Sequence, residues 1–227
     1  MMARLLNITL AIIFIISSML KAVNIHSFAM EAGEYIDLYM PQFLHGCQMP
    51  CAIGVCSIEM CTGLWAFRKE YVRVTNFIFL LLLSFFVYLT GLNFFFPTIL
   101  GRVESCGCFG ELIHFSPLAS FGKSAALWGI ALYAVTKNGI PSTVPMRKVF
   151  RDEYVYASVA VGLIPSLYSL MFFNEMEHVS YLLIYATLCC GFLIMIWKAY
   201  YNKQHESNKV DNITLTTQAK RSGSRKA

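Results

Sequence analysis

Residues 72–96 read VRVTNFIFLLLLSFFVYLTGLNFFF, and Arg73 is the only charged residue among them. Uninterrupted apolar stretches of about 20 residues are typical of bilayer spans, because a helix of that length crosses the hydrocarbon core of a membrane. Arg68 and Lys69 lie just before this stretch, as basic residues do on the cytoplasmic side of a span. The stretch therefore predicts a transmembrane helix.

The whole chain has a membrane composition. Of its 227 residues, 57% are hydrophobic and 14% are charged, whereas a soluble domain carries about 25% charged residues. Its mean hydropathy is +0.57. The apolar stretches predict six spans, at about Leu5 to Val23, Cys47 to Phe67, Val72 to Phe96, Gly122 to Lys137, Tyr154 to Phe173 and Ser180 to Tyr200. The predicted fold class is all-α, a polytopic helical membrane bundle of about six transmembrane helices without a soluble domain.

Lysine and arginine residues set the predicted orientation. Arg4 precedes the first span, and further basic residues lie between the second and third spans, between the fourth and fifth spans, and in the C-terminal tail, whereas the other connections are poor in them. The positive-inside rule then places both termini in the cytoplasm and the connection between the third and fourth spans outside. The net charge of +5 comes from these flanks and the tail, so nucleic-acid binding is not expected.

The two ends of the chain need separate interpretation. Met1 to Ala22 has the basic start and apolar run of a secretory signal, but Met19-Leu20-Lys21-Ala22 is a poor small-residue cleavage site. An uncleaved first span is therefore expected. Residues 202–227 are polar and rich in Ser, Thr and Lys, which predicts a disordered basic cytoplasmic tail.

The outer connection contains the sequence ESCGCFGE at residues 104–111. Cys106 and Cys108 are separated by one glycine, which is consistent with a redox pair, half of a metal site, or the ends of two separate disulfides. Cys47 and Cys51 lie at the predicted outer end of the second span, and their spacing puts both thiols on one helical face, about 6 Å apart along the axis. Four thiols are therefore predicted to converge on the outer surface, where disulfides persist.

The favoured interpretation is a thiol relay. Thiol exchange proceeds by attack of a thiolate on a disulfide, so the exposed pair, Cys106 and Cys108, would exchange with an external partner. Cys47 and Cys51 would then form the second pair, at the membrane edge. A disulfide across a single glycine is expected to be strained, and strained disulfides are the labile and oxidising ones.

Two alternatives remain open for these thiols. A disulfide between the loop pair and the helix pair would be purely structural and would pin the loop to the second helix. A copper or zinc site is also conceivable, because His45 and His114 flank the two cysteine pairs and a Cys/His set suits these metals. The irregular spacing makes the metal site the weaker of the two.

Glu59 falls near the middle of the second span. An ionised carboxylate at this depth costs several kcal/mol, so Glu59 is expected to face the bundle interior and to be protonated or paired. It is a candidate proton donor for a redox step, since reduction of a disulfide or a quinone consumes protons. Alternatively it hydrogen-bonds a neighbouring helix through Ser17, Ser18 or Ser84. Lys21, at the end of the first span, is expected to extend its ammonium group to the membrane surface.

The segment Asn24 to Leu44 is too polar to span the membrane. Its apolar positions Phe28, Ile36, Tyr39 and Phe43 alternate with acidic residues, which predicts an amphipathic helix on the outer surface. Such a helix could cover the thiol site.

Further cysteines and aromatic residues are assigned to packing or to lipid contact. The cysteines assigned to helix packing are Cys56, Cys61, Cys189 and Cys190. The aromatic residues expected to face lipid are Phe85, Phe86, Tyr88, Phe94, Phe95 and Phe96.

The assembled features resemble the DoxX and MauE group of redox-associated bacterial membrane proteins. The residues that carry the likeness are Ser17-Ser18-Met19-Leu20-Lys21-Ala22, Phe28, Glu34-Tyr35, Glu59 and Ser105-Cys106-Gly107-Cys108-Phe109-Gly110-Glu111. They fall within residues 4–137, the first four spans. The family usually has a serine and a glycine before its lysine, where this chain has Ser17 and Ser18.

The resemblance implies a four-helix membrane core with an accessory role in the thiol or disulfide chemistry of exported proteins. MauE-like members are associated with maturation of a disulfide-rich periplasmic dehydrogenase subunit, and other members of the wider group resemble subunits of thiosulfate-to-quinone oxidoreductases. The domain organisation expected from it is a core at residues 1–140, two additional transmembrane helices at 141–201 and the tail at 202–227.

The sequence thus predicts a multi-pass thiol–disulfide redox protein of the bacterial inner (plasma) membrane. Its expected site residues are Cys106, Cys108, Cys47, Cys51 and Glu59. The expected partners are membrane lipid and an exported thioredoxin-like or disulfide-rich protein, with a quinone as the candidate electron acceptor. The alternatives are a non-catalytic assembly scaffold with a structural outer disulfide and a protein that handles a metal or a sulfur compound.

Overall fold

The computed structural model describes residues 2–96, 116–139, 153–172 and 183–192, together with residues 194, 195 and 198. Its main helices are α1 (Met2–Val23), α2 (Ile25–Tyr39), α3 (Gln48–Trp65), α4 (Val72–Phe95), α5 (Pro117–Asn138) and α6 (Glu153–Phe172). Two short 3₁₀ helices, Gln42–Leu44 and Lys69–Tyr71, precede α3 and α4. The regular secondary structure in these ranges is entirely helical, which confirms the all-α prediction.

The chain forms two compact units, Met1–Tyr185 and Ala186–Ala227. The first unit contains α1 to α6. The second begins inside a short apolar helix, Leu183–Phe192, which is the described part of the sixth predicted span. The predicted tail at residues 202–227 and the domain boundary at residue 140 lie outside the described residues.

Four of the described helices are long and apolar enough to cross a membrane. They are Arg4–Val23, Lys69–Phe95, Pro117–Asn138 and Glu153–Met171. The helix at the second predicted span, α3, is not among them, although it has 18 residues. It contains Glu59 and packs against α1, α2 and α6, so much of its surface meets protein and can be less apolar. The total of six spans therefore stays a prediction.

The fourth span is longer than the predicted Gly122 to Lys137. Helix α5 begins at Pro117 and has 22 residues. Proline is favourable in the first helical turn, and the Ser116 hydroxyl accepts a hydrogen bond from the backbone N–H of Ala119 at 3.4 Å. This N-cap explains the earlier start.

Helix α3 is central to the packing of the first unit. It contacts α1, α2 and α6, whereas α4 pairs chiefly with α5. At Gly63 of α3, an ideal Cβ would lie 2.6 Å from Ile15 Cγ1 and 3.0 Å from the Ala11 carbonyl oxygen, so only glycine allows α1 to approach this closely. At Gly162 of α6, a Cβ would lie 3.1 Å from the Ser57 carbonyl oxygen. Small residues permit such close helix contacts in membranes.

Hydrogen bonds join α6 to the first helices of the chain. The Tyr154 hydroxyl donates to the Leu64 carbonyl oxygen at 2.6 Å, and the Ser169 hydroxyl donates to the Val23 carbonyl oxygen at 2.9 Å. The indole Nε1–H of Trp65 donates to Ser158 Oγ at 2.7 Å. The fifth predicted span is thus packed directly on α3.

Loss of the Trp65 hydrogen bond is expected to weaken the contact between α3 and α6. Trp65→Phe should lower the free energy of unfolding by about 1 kcal/mol, because it leaves the fully buried Ser158 hydroxyl without this donor. Trp128→Phe is the matched control, since Trp128 Nε1–H donates to Ser84 Oγ at 2.9 Å at an exposed position. Reversible unfolding of the detergent-solubilised variants measures the free energy of unfolding. An equal decrease in the two variants would contradict the prediction.

The predicted amphipathic helix after the first span is present as α2. It buries Phe28, Tyr35 and Ile36 on one face, while Met30 on another face is 68% exposed. The helix ends at Tyr39 instead of extending to Leu44, because the residue before Pro41 is sterically biased away from helical geometry. Helix α2 packs on α3. Its expected role as a cover of the thiol site stays a prediction, because Cys106 and Cys108 lie outside the described residues.

Candidate functional site

A buried ion pair joins α1 to α3. Lys21 Nζ lies 2.6 Å from Glu59 Oε1, and the two side chains are 1% and 2% exposed. Lys21 is in the last turn of α1 and Glu59 is near the middle of α3, on the faces that the Gly63 contact brings together. The prediction that Glu59 faces the bundle interior and is paired is confirmed. The expectation that Lys21 extends to the membrane surface is wrong, because its ammonium group has this carboxylate as a partner inside the bundle.

Further polar groups surround the Glu59 carboxylate. The Ser17 hydroxyl hydrogen-bonds it, and the positive charge of Lys123 in α5 adds to the attraction of Lys21. Ser18, which the sequence also proposed as a partner, instead donates to the Cys56 carbonyl oxygen at 2.7 Å. Ser84 donates to the Leu80 carbonyl oxygen at 2.7 Å. Of the three proposed serines, Ser17 is therefore the one that the structure places on Glu59.

Two aromatic rings flank the Lys21 ammonium group. Nζ lies 5.0 Å from the ring centroid of Phe28 and 5.1 Å from that of Phe86. Both distances allow a cation–π attraction, which is strongest where water is excluded. Phe86 was expected to face lipid, and the structure corrects this: its ring lies against Lys21. Its neighbour Phe85 is 42% exposed, in keeping with lipid contact.

A cavity of about 370 Å³ lies beside this ion pair. Its wall is largely apolar and is formed by residues of α1, α2, α3 and α4. The lining residues include Lys21, Glu31, Ala32, Cys51, Gly54 and Phe86. The cavity forms because α3 packs on α1 and α6 while α4 packs on α5, so that α3 and α4 are only loosely in contact with each other.

The cavity is open at the side of the helix bundle, between α3 and α4. Ile58 of α3 and Phe85 of α4 both line it, and these side chains are 47% and 42% exposed. The cavity therefore opens at the exposed surface between α3 and α4.

Of the four predicted thiols, two are described. Cys47 immediately precedes the first residue of α3, and the backbone N–H of Cys51 donates to its carbonyl oxygen at 3.0 Å, so the two lie one helical turn apart as predicted. Both are half-buried free thiols, and Cys51 lines the cavity. Cys106 and Cys108 lie outside the described residues, so convergence of the two pairs stays a prediction.

The deeper cysteines of α3 have packing roles. Cys56 is fully buried, and Cys61 is 8% exposed with its thiol donating to the Ser158 carbonyl oxygen at 3.5 Å. These positions agree with the packing assignment. Cys189 and Cys190 belong to the second compact unit.

A metal site finds no support in the part of the chain that the structure describes. His45 Nδ1 lies 3.8 Å from Asp37 Oδ1, but no group of three or more His, Cys, Asp or Glu side chains comes together within the described ranges. His114 lies outside them.

Sequence reasoning missed the cavity and most of its wall. The available signal was weak: Ala52 and Gly54 in α3 and Ala32 in α2 are small residues at positions that later prove to line one space. Small residues are common in any membrane helix, so they did not distinguish a cavity from close helix packing. Lys21 was noticed but was assigned to the membrane surface.

Comparison of the chain with protein-family models, with curated proteins and with solved structures finds no match. The resemblance to the DoxX and MauE group therefore stays an expectation from the sequence motifs.

Proposed function

We propose that the protein is an integral membrane thiol–disulfide redox protein that assists disulfide formation in exported proteins. The observation that carries this proposal is the position of Cys51. Its thiol is half-buried at the wall of a cavity that Lys21 also lines, whereas Cys56 and Cys61 on the same helix are sealed in the packed interior. A redox-active thiol must be accessible to its partner.

The spacing of Cys47 and Cys51 supports a role as a dithiol. Residues four apart on a helix have Cβ atoms about 5–6 Å apart, whereas a disulfide requires about 3.5–4.5 Å. Cys47 is the N-cap residue of α3, and its carbonyl oxygen accepts a hydrogen bond from the backbone N–H of Cys51 at 3.0 Å. A disulfide between these two thiols therefore requires a small change in the first turn of α3, and exchange with a third cysteine does not.

In this proposal the cysteine end of α3 faces outward and both termini lie in the cytoplasm. The opposite end of the bundle is the basic one, where the guanidinium of Arg4 donates to the Phe67 carbonyl oxygen at 2.7 Å and Arg68 lies just beyond α3. The positive-inside rule favours the cytoplasm for that end. The thiols then lie on the outer side of a bacterial inner membrane, where the environment is oxidising.

The proposed partner is an exported thioredoxin-like or disulfide-rich protein. Cys106 and Cys108 exchange disulfides with it, and Cys47 with Cys51 exchanges with the loop pair in turn. Each exchange breaks one S–S bond and forms another, so electrons pass between the proteins without a further oxidant. Cys47 and Cys51 are finally reoxidised by an electron acceptor.

Thiol trapping in intact cells tests the proposal. Cells that express the full chain are treated with a membrane-impermeant alkylating reagent, and the variants Cys47→Ser, Cys51→Ser, Cys106→Ser and Cys108→Ser are compared with wild type on non-reducing gels. At least one variant of each pair should accumulate a covalent adduct with an exported protein or show a trapped disulfide within the chain, because removal of the resolving thiol stalls exchange.

Cys61→Ser is the control for this experiment. Serine can retain the hydrogen bond to the Ser158 carbonyl oxygen, and the residue is 8% exposed, so this variant should behave as wild type. A bond that resists mild reductants in wild type, together with no adduct in any of the four variants, would indicate a structural disulfide and a non-catalytic scaffold.

A further inference from the structure

We propose that the cavity between α3 and α4 binds one acyl chain of a membrane phospholipid, while the head group of that lipid stays outside the cavity. The inference goes beyond the proposed function and rests on it only for the membrane location of the bundle. Three features of the cavity carry it: the chemistry of its wall, its elongated shape and its opening at the side of the bundle.

Polar side chains of the wall are engaged within the protein. Lys21 Nζ lies 2.6 Å from Glu59 Oε1, and the ammonium group is buried. The Thr90 hydroxyl donates to a backbone carbonyl oxygen of its own helix at 2.7 Å, and the Tyr35 hydroxyl accepts a hydrogen bond from Asn93 Nδ2 at 3.5 Å. A polar ligand would have to compete with these internal partners, so it would gain little from them.

The rest of the wall is largely apolar. Side chains of α2, α3 and α4 that line it include Ile36, Val55, Ile58, Phe85 and Leu89. An anionic head group would meet in Lys21 a cation that Glu59 already compensates. A hydrocarbon chain needs neither a charge nor a hydrogen bond. It supplies the dispersion contacts that the wall of an empty cavity lacks.

The cavity is long in the direction of the helix axes. Its lining residues on α3 extend from Cys51 to Ile58, which is about 10 Å along the helix at 1.5 Å per residue. Because an apolar cavity of about 150 Å³ binds benzene, the volume of about 370 Å³ has room for roughly a dozen carbon atoms. A linear chain that lies parallel to α3 fits this shape better than a compact ring system.

The opening lies beside hydrocarbon when the bundle is in a membrane. Ile58 of α3 and Phe85 of α4 line the cavity and are 47% and 42% exposed. Helix α4 is apolar and long enough to cross a membrane, so acyl chains of the bilayer surround the exposed face of this helix. A phospholipid can therefore insert one chain sideways between α3 and α4 and keep its head group at the membrane surface.

Filling the cavity from two helices tests the inference. An ideal Cβ at Gly54 meets no atom within 4 Å, so Gly54→Leu adds a side chain to the cavity wall without a clash at Cβ. Ala32→Leu fills the cavity independently from α2. Full-length protein in phosphatidylcholine nanodiscs is photolabelled with a phosphatidylcholine that carries a diazirine on its acyl chain. Mass spectrometry then locates the labelled residues.

Labelling of residues 51–58 is measured relative to labelling of α6, where the exposed Ile164 and Met171 report ordinary contact with the bilayer. Wild type should be labelled within residues 51–58, including Ala52, which lines the cavity and is fully buried from the surrounding bilayer. Both filled variants should show at least a fivefold lower ratio, because the added leucine occupies the space of the chain.

Gly129→Leu is the matched control, because a Cβ at Gly129 of α5 also meets no atom within 4 Å and this residue does not line the cavity. Its ratio should equal that of wild type. Undiminished ratios in both filled variants would overturn the inference. A tenfold preference of wild type for a phosphatidylglycerol probe with the same diazirine chain would also overturn it, since recognition would then depend on the head group.

The two proposals can fail separately. Photolabelling requires no thiol exchange, and the adduct experiment requires no lipid probe. Loss of labelling in the filled variants without any thiol adduct would leave the acyl-chain site in place and remove the redox function, and the reverse result would do the opposite.

Discussion

Replacement of Lys21 by methionine is expected to lower the free energy of unfolding by about 3–5 kcal/mol. The change removes the ammonium group and leaves the Glu59 carboxylate, whose side chain is 2% exposed, without its ion-pair partner. A buried unpaired charge is far more costly than the pair itself contributes. Reversible unfolding of the purified protein in mixed detergent micelles measures the loss.

The double variant Lys21→Met/Glu59→Met should recover most of that loss. It replaces the ion pair by two apolar side chains of similar size, which is often neutral for a buried pair. A double variant no more stable than Lys21→Met would contradict this account. The control is Glu70→Gln, which breaks an exposed pair in which Arg68 Nη2 lies 3.7 Å from Glu70 Oε2. Its effect should stay below about 1 kcal/mol, as is usual for surface ion pairs.

Gly63→Ala is expected to destabilise the protein by about 1–3 kcal/mol, even though alanine is the better helix former. Its Cβ would lie 2.6 Å from Ile15 Cγ1 and 3.0 Å from the Ala11 carbonyl oxygen. The Ile15 side chain can rotate, but the Ala11 carbonyl belongs to the backbone of α1, so the two helices must separate. The same unfolding measurement applies.

Gly129→Ala should have the opposite sign. This glycine is in a helix, and an ideal Cβ built on it meets no atom within 4 Å, so alanine should raise stability by up to about 1 kcal/mol through its helix propensity alone. If both alanine variants were stabilising, the close contact between α1 and α3 would not be as tight as described. The pair thus separates helix propensity from helix packing.

The ion pair and the cavity also explain why a helix of modest hydropathy lies within the bundle. Helix α3 carries Glu59, and it packs against α1, α2 and α6. Helix α4 is more apolar and is among the helices apolar enough to cross a membrane. The packing of α3 against three neighbours allows it to hold a buried ion pair.

Much of the fold was predictable from local sequence. Helix α4 begins at Val72, as predicted, and α1 ends at the predicted Val23. The amphipathic pattern after the first span correctly indicated α2. The depth of Glu59 in an apolar stretch predicted that its carboxyl group would be buried and either protonated or paired, because the cost of a solitary charge is a property of the stretch alone.

The sequence alone determined the helical class, most helix positions and the burial of Glu59, whereas the tertiary structure decided the partner of Glu59 and the existence of the cavity. Hydropathy is a local property, and it is read from one segment at a time. Lys21 and Glu59 are 38 residues apart, and their contact depends on the close approach of α1 to α3 at Gly63. The cavity depends on α3 and α4 packing on different neighbours, which no single segment specifies.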